Sequence, residues 1–190
     1  MSPRTKQQFK KIRNEKIELI KNTALKLFAE NGYASTSISK IANNAKISKG
    51  LIYNYFESKE ALLHDVMFDS LKDFANALVV EDINNIKKKE IIQFIDWSFN
   101  TLKSNPEFYK LYFSLAQQGQ IIKLFEEEMH KVFGELFEKI IMYYTQKGEK
   151  NPFTKARFLI AIVDGIGAHY LLDMEGFPLE ETRKMITELI

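Results

Sequence analysis

Residues 36–63 read TSISKIANNAKISKGLIYNYFESKEALL, and the fold turns on how that stretch divides. Thr36 or Ser37 can cap a short helix whose apolar face is Ile38, Ile41, Ala42 and Ala45. A tight turn runs through Lys46 and Ile47, and Ser48 can cap a second short helix over 49–55. Ser58 then caps a longer helix from Lys59 to about Leu78, with Glu60 in the first turn, where the helix dipole favours an acid. Ile52 and Phe56 are four apart and share one helical face. With Ile41 and Ile47 they make a common core, and Ala42 leaves room where the two short helices must approach.

This division leaves Lys49, Gly50, Tyr53 and Asn54 on other faces, with Tyr55 at the helix end. A small amphipathic helix with two core tyrosines would need Tyr53 and Tyr55 to share the Ile52/Phe56 face, which their spacing does not allow. Against a DNA duplex the same residues make chemical sense. Lys46, Lys49 and Lys59 can neutralise phosphates, and Gly50 lets backbone N–H groups come close to one. The tyrosine hydroxyls, and those of Thr36, Ser37, Ser39 and Ser48, can bond phosphate oxygens, while Asn54 can read a base edge. Leu51 can pack on a thymine methyl or rest on the neighbouring helix.

Charge points the same way. The first 60 residues hold 12 Lys and Arg against 5 Glu, and the rest of the 190-residue chain holds 15 against 20 acids. A polyanion partner and a solvated lysine-rich helix both fit that asymmetry. The basic arm Arg4, Lys6, Lys10 and Lys11 can follow a phosphate backbone, enter a minor groove, or stay disordered. There is no cysteine, so neither a disulfide framework nor a thiolate metal site, in keeping with a reducing cytoplasm. The N-terminus lacks the apolar stretch of a secretory signal. The apolar run Leu159–Leu172 is interrupted by Asp164 and His169 and is too short to span a bilayer.

The rest of the chain reads as helix and break. Ile17, Ile20, Ala24, Leu27 and Phe28 form a stripe that should end at Asn31-Gly32. A polar loop over 81–90 leads into a helix starting near Lys87. Asn-Pro pairs at 105–106 and 151–152 place proline at a first helical position behind an asparagine cap. Gly176 ends one helix and Pro178 opens another. The expectation is an all-α protein of about nine helices: residues 1–58 a three-helix helix-turn-helix domain, residues 59–190 a larger helical domain. His169 with Asp173, and Glu126 with His130, are weak metal-type pairs, and no catalytic set or phosphate-binding loop is present. No enzyme activity, cofactor or metal is expected.

Residues 24–37 (ALKLFAENGYASTS) and 36–63 resemble the DNA-binding domain of TetR-family transcriptional regulators, strongly over roughly 12–66. AIVDGIGAHYLL (161–172) resembles, more weakly, a helix near the C-terminus of such regulators. The resemblance implies a homodimer that binds a palindromic duplex site, with a small effector held in the C-terminal domain and releasing a repressor. An activator or a corepressor-dependent regulator fits equally well. A helical small-molecule-binding protein that never touches DNA leaves the charge asymmetry and the 36–63 pattern unexplained. Two positions depart from the family pattern: Lys46, where glycine is usual, and Leu51, where a small residue is usual. For the effector, the aromatic load of the second half points to Trp97, Tyr112, Phe113, Phe133 and Tyr144 around a cavity suited to an apolar or aromatic molecule. The resemblance makes the last two helices the dimer surface, through Ile162, Ile166, Gly167 and Tyr170. Asp164 reads first as a satisfied polar group in the core and second as part of the effector site.

Overall fold

A computed structural model of the chain describes residues 5–71, 77–123 and 125–190. Their regular structure is helical throughout: α1 Lys6–Asn31, α2 Ile38–Asn44, α3 Lys49–Tyr53, α4 Lys59–Leu71, α5 Lys88–Ser104, α6 Pro106–Ala116, α7 Gly119–Lys123, α8 Glu126–Gln146, α9 Pro152–Leu172 and α10 Leu179–Leu189. The all-α expectation holds, and the five-residue α7 is a segment the sequence did not mark. Two compact units emerge, Met1–Asp69 and Ser70–Ile190.

In the first unit α1 runs to Asn31 and stops at Gly32, whose φ of 78° only glycine adopts without strain and whose N–H bonds the Phe28 carbonyl at 2.9 Å. Ile20, Ala24, Leu27 and Phe28 form its buried stripe; α1 packs on α2 and α2 on α3, and Ile41, Ala42, Ile52 and Phe56 are buried with it. Serines cap the next three helices: Ser37 Oγ accepts from Lys40 N, Ser48 Oγ from Leu51 N, and Ser58 Oγ from Ala61 N. This unit runs to Asp69, within α4, whereas the boundary expected from sequence is at 58. Two links hold α4 there: the Lys21–Asp69 ion pair, and the Lys59 ammonium bonded to carbonyls at 33 and 36. Residues 72–76 of the long helix expected to reach Leu78 lie outside the described residues, and 77–78 form a bend.

The turn between α2 and α3 closes as a Schellman motif. Ile47 N bonds Ala42 O at 3.0 Å and Lys46 N bonds Asn43 O at 3.2 Å, with Lys46 in the left-handed region at φ 53°. Lysine there costs about 1 kcal/mol relative to glycine.

The second unit stacks α5, α6, α8, α9 and α10. α5 buries Ile91, Phe94, Ile95, Phe99 and Leu102 along one stripe. Its start is organised by Glu90, a buried acid that accepts from Lys87 N at 2.6 Å and Glu81 N at 2.9 Å. Those two backbone donors hold its carboxyl below the usual range. Gln146 at the end of α8 clasps the preceding loop, accepting from Ile86 N and donating to Ile83 O, both at 2.8 Å. Pro106 and Pro152 take first helical positions as expected, but the Asn105 and Asn151 side chains make no cap hydrogen bond. Lys103–Glu180 at 2.8 Å and Arg183–Asp96 tie α10 to α5. No helix among the described residues is long and apolar enough to cross a membrane.

Candidate nucleic-acid interface and effector cavity

In the first unit, the five-residue α3 is held through Ile52 while most of its other side chains stay outside. Ile52 is fully buried and Phe56 nearly so. Lys49, Gly50, Tyr53 and Asn54 are exposed, Tyr53 to 47%. An ordinary core tyrosine would be hidden, so this ring is presented outward. The Lys49 ammonium lies 5.7 Å from the Tyr53 ring centroid. A Cβ built on Gly50 would meet nothing within 4 Å, so the surface there is open. Ser37, Ser39, Lys46 and Ser48 are exposed alongside, while Leu51 and Tyr55 are half-buried.

Two expected DNA contacts are placed otherwise. Thr36 is fully buried, with its hydroxyl 2.9 Å from the Gly32 carbonyl and 3.2 Å from that of Leu27. Lys59 is half-buried; its ammonium donates to Tyr33 O at 2.9 Å and Thr36 O at 3.1 Å, over the Tyr33 ring. Both side chains serve the chain's own packing. Arg13 of α1, which sequence reasoning did not select, is exposed, with its guanidinium 5.7 Å from the Tyr55 ring centroid. The signal was present in the basic run of the first helix, but no spacing rule links 13 to 55. The basic arm is helical from Lys6, closed by a capping box in which Gln8 N bonds Thr5 Oγ1 and Thr5 N bonds Gln8 Oε1. Arg4 lies outside the described residues.

In the second unit, α5, α6, α8 and α9 surround a cavity of about 70 Å³. Tyr112, Phe113 and Phe133 line it together with Phe94, Phe99 and Tyr109. The rings meet at angles: Tyr112 and Phe113 have centroids 5.2 Å apart at 65°, and Tyr112 and Phe133 6.1 Å apart at 41°. Trp97 and Tyr144 are not part of this wall. Trp97 is half-buried elsewhere on α5, and Tyr144 packs on Tyr143 with centroids 5.1 Å apart.

Asp164 of α9 is the acid in the lining. Among the described residues no hydrogen-bond donor reaches its carboxylate, which corrects the reading of a satisfied core group. Burial raises its carboxyl to about 6 from an ordinary 3.8. Burial also raises the phenols of Tyr109 and Tyr112, and the Asp164 charge adds to that. Ser98 spends its hydroxyl proton on Phe94 O at 2.9 Å. Asp164 and Ile160 also border an open groove along α9, with Phe137, Arg157 and Phe158.

The dimer residues expected on α9 divide. Ile162 and Ile166 are half-buried. Gly167 faces inward, where an added Cβ would touch Phe113 at 3.4 Å, and Tyr170 is buried against Phe177. The large apolar side chains left outside are Phe153, Phe158 and Leu172 on α9 and Met185 and Leu189 on α10.

Comparison with known proteins agrees with this layout. Residues 20–66 match the family model described as bacterial regulatory proteins, tetR family. The chain is 65% identical over 49 residues to the HTH-type transcriptional regulator YuxN of Bacillus subtilis, covering 26% of this chain and 17% of YuxN. It is 29% identical over 147 residues to YerO of the same organism, covering 67% of this chain and 50% of YerO. The match thus spans half or less of either relative. The fold superposes on the fatty acid degradation regulator FadR from Bacillus halodurans with a TM-score of 0.75 at 20% identity, over 92% of this chain and 93% of that one. Helix-turn-helix motif, family match and fold agree on this much: residues 20–66 resemble the DNA-binding domain of the tetR family of bacterial regulatory proteins, and the chain as a whole has the fold of the regulator it superposes on.

Proposed function

We propose that the chain is a repressor that binds a palindromic DNA operator as a homodimer in the cytoplasm and is released by a small effector. The observation that carries DNA binding is the outward face of α3. A helix of five residues is anchored by Ile52 and the nearby Phe56 and offers Lys49, Tyr53 and Asn54 to solvent. Lys46, Lys49 and Arg13 supply phosphate-neutralising charge, the Ser37, Ser39 and Ser48 hydroxyls and Tyr53 position the duplex, and Asn54 reads a base edge. A two-fold dimer would set its half-sites about one helical turn or more apart. The exposed apolar side chains of α9 and α10 support the homodimer, because a monomer gains nothing by leaving Phe158 and Leu172 in water. The aromatic cavity supports the effector.

The test is a salt titration of binding to duplexes selected from random DNA. A repressor of this kind loses affinity steeply as salt rises, because neutralised phosphates release counterions. Binding that is absent from every duplex, or insensitive to salt, overturns the proposal. Release of the bound duplex by compounds that occupy the cavity tests the effector step.

A further inference from the structure

The cavity differs from a plain apolar hole in one respect: a carboxylate sits in its wall without a partner. Six aromatic rings, Phe94, Phe99, Tyr109, Tyr112, Phe113 and Phe133, share the lining with Asp164. Among the described residues the lining contains no Lys, Arg or His. Arg157, which borders the outer groove beside Asp164, lies over the Phe137 ring at 5.8 Å and makes no ion pair with the acid. Aromatic faces carry negative charge density, and a half-buried carboxylate adds a full negative charge when ionised. We infer that the effector is a small organic cation, an amine or quaternary ammonium, held against the aromatic rings with Asp164 as its counter-ion. The inference rests on the reading of the cavity as the effector site and specifies the chemistry of its occupant.

The competing classes fail on the same residues. An anion would meet the carboxylate with no cation to offset it. A neutral apolar molecule would bury Asp164 further and give it nothing to pair with. A cation removes both costs at once, and the Tyr109 and Tyr112 hydroxyls can accept from an ammonium N–H. Size narrows the class. An engineered cavity of about 150 Å³ takes benzene, and the cavity here is about 70 Å³. A compact head of about five heavy atoms therefore suits it better than a flat aromatic ring. The raised Asp164 carboxyl, at about 6, supplies a second signature: the counter-ion is withdrawn as pH falls below that value.

The experiment uses four probes of similar bulk, tetramethylammonium, tert-butylammonium, tert-butanol and pivalate, titrated calorimetrically into the full chain without DNA at neutral pH. The two cations should bind at least about tenfold more tightly than the alcohol or the carboxylate. That preference should disappear in Asp164→Asn and weaken in the unmodified protein as pH falls through about 6. Equal or tighter binding of tert-butanol or pivalate overturns the inference. So does failure of both cations to bind at about 20 mM, a Kd weaker than the weakest useful site, or cation binding indifferent to pH and to Asp164→Asn. The regulator reading fails separately: if the cations bind with the expected preference but leave DNA binding unchanged, the cation site stands and effector release falls. If neutral molecules release DNA, release stands and the cation class falls.

Discussion

The Lys59 ammonium lies 4.1 Å from the centroid of the Tyr33 ring while donating to the carbonyls of Tyr33 and Thr36. The Tyr33 hydroxyl in turn donates to Glu60 Oε1 at 3.0 Å, so two adjacent residues of α4 grip the segment that joins α1 to α2. The sequence pattern suggested a phosphate contact for this lysine. Its geometry makes it a strut. Lys59→Ala should therefore lower the stability of the first unit by about 1.5–3 kcal/mol, the range for hydrogen bonds made by charged groups. It should leave the salt slope of DNA binding unchanged once the protein is folded. Chemical denaturation and a salt titration of the same variant check both halves, and a slope reduced by about one unit would return Lys59 to the DNA face.

Lys46 and Gly148 occupy the same place in two Schellman turns. After α8, Gly148 N bonds Thr145 O and Glu149 N bonds Tyr144 O, with Gly148 at φ 75°. After α2 the pattern is repeated with Lys46 at φ 53°. Lys46→Gly should then stabilise the protein by about 1 kcal/mol by relieving the left-handed strain, less the greater freedom that glycine gives the unfolded chain. If Lys46 contacts a phosphate, the same variant binds DNA more weakly and with a salt slope smaller by about one. Gain of stability with loss of affinity would explain a strained lysine at a position where a glycine would fold better.

The helix-turn-helix was legible because its information is local. Serine caps, the Ile52/Phe56 pair and Gly32 all act within a few residues, and the structure places each as its spacing implies. The roles of Thr36 and Lys59 were not legible, since a hydroxyl and an ammonium look alike in sequence whether they face a phosphate or a carbonyl of their own chain. The cavity shows the same limit. Tyr112, Phe113 and Phe133 line it, whereas Trp97 and Tyr144 sit on the same kinds of amphipathic helix and do not. Only packing between α5, α6, α8 and α9 decides which stripe faces the hole. Gly165 and Gly167 read identically in sequence, yet Gly167 meets Phe113 and Gly165 meets nothing.

Tyr53 and Asn54 are both exposed and should fail differently. Tyr53→Phe removes one hydroxyl that bonds a phosphate oxygen, so it should weaken binding to all duplexes alike, by about three- to tenfold. Asn54→Ala removes a base-edge contact, so it should relax preference at one base position by about 1–3 kcal/mol of discrimination. Parallel site selections from random DNA separate the two. Equal weakening of every duplex by Asn54→Ala would remove its reading role.

Asp164 makes a pH prediction with a definite sign. Its carboxyl titrates near 6 in the folded protein against 3.8 unfolded. Between those values the unfolded state has released a proton that the folded state keeps, so stability falls as pH rises through that window. The loss is on the order of 2–3 kcal/mol at neutral pH. Glu90 acts oppositely: its carboxyl is held low by backbone donors, so it contributes stability that is lost as pH falls. The groups facing Asp164 are Arg157 on its own helix and, from α6, Tyr109 and Tyr112, whose phenols burial raises further away from this window. The measurement is therefore a difference, urea unfolding of the unmodified protein against Asp164→Asn from about pH 4 to pH 7. The variant should be the more stable one at neutral pH, and its advantage should vanish toward pH 4.

Phe158 is 59% exposed and Leu172 83% exposed on α9, and Gly165 between them leaves open space where a second backbone can approach. Placed against a copy of itself, that face would bury side chains worth about 1.5–3 kcal/mol each. Phe158→Glu puts a charge where an apolar side chain should be covered. It should convert a dimer into a monomer in sedimentation while leaving the helical content intact, since Phe158 contributes little to its own unit's core. Because a two-fold interface repeats every contact, the single substitution acts twice in each dimer. Operator affinity should fall with it, because two half-sites bound by linked recognition helices gain an avidity that separate monomers lose. A Phe158→Glu protein that sediments as a dimer would move the interface away from this face of α9.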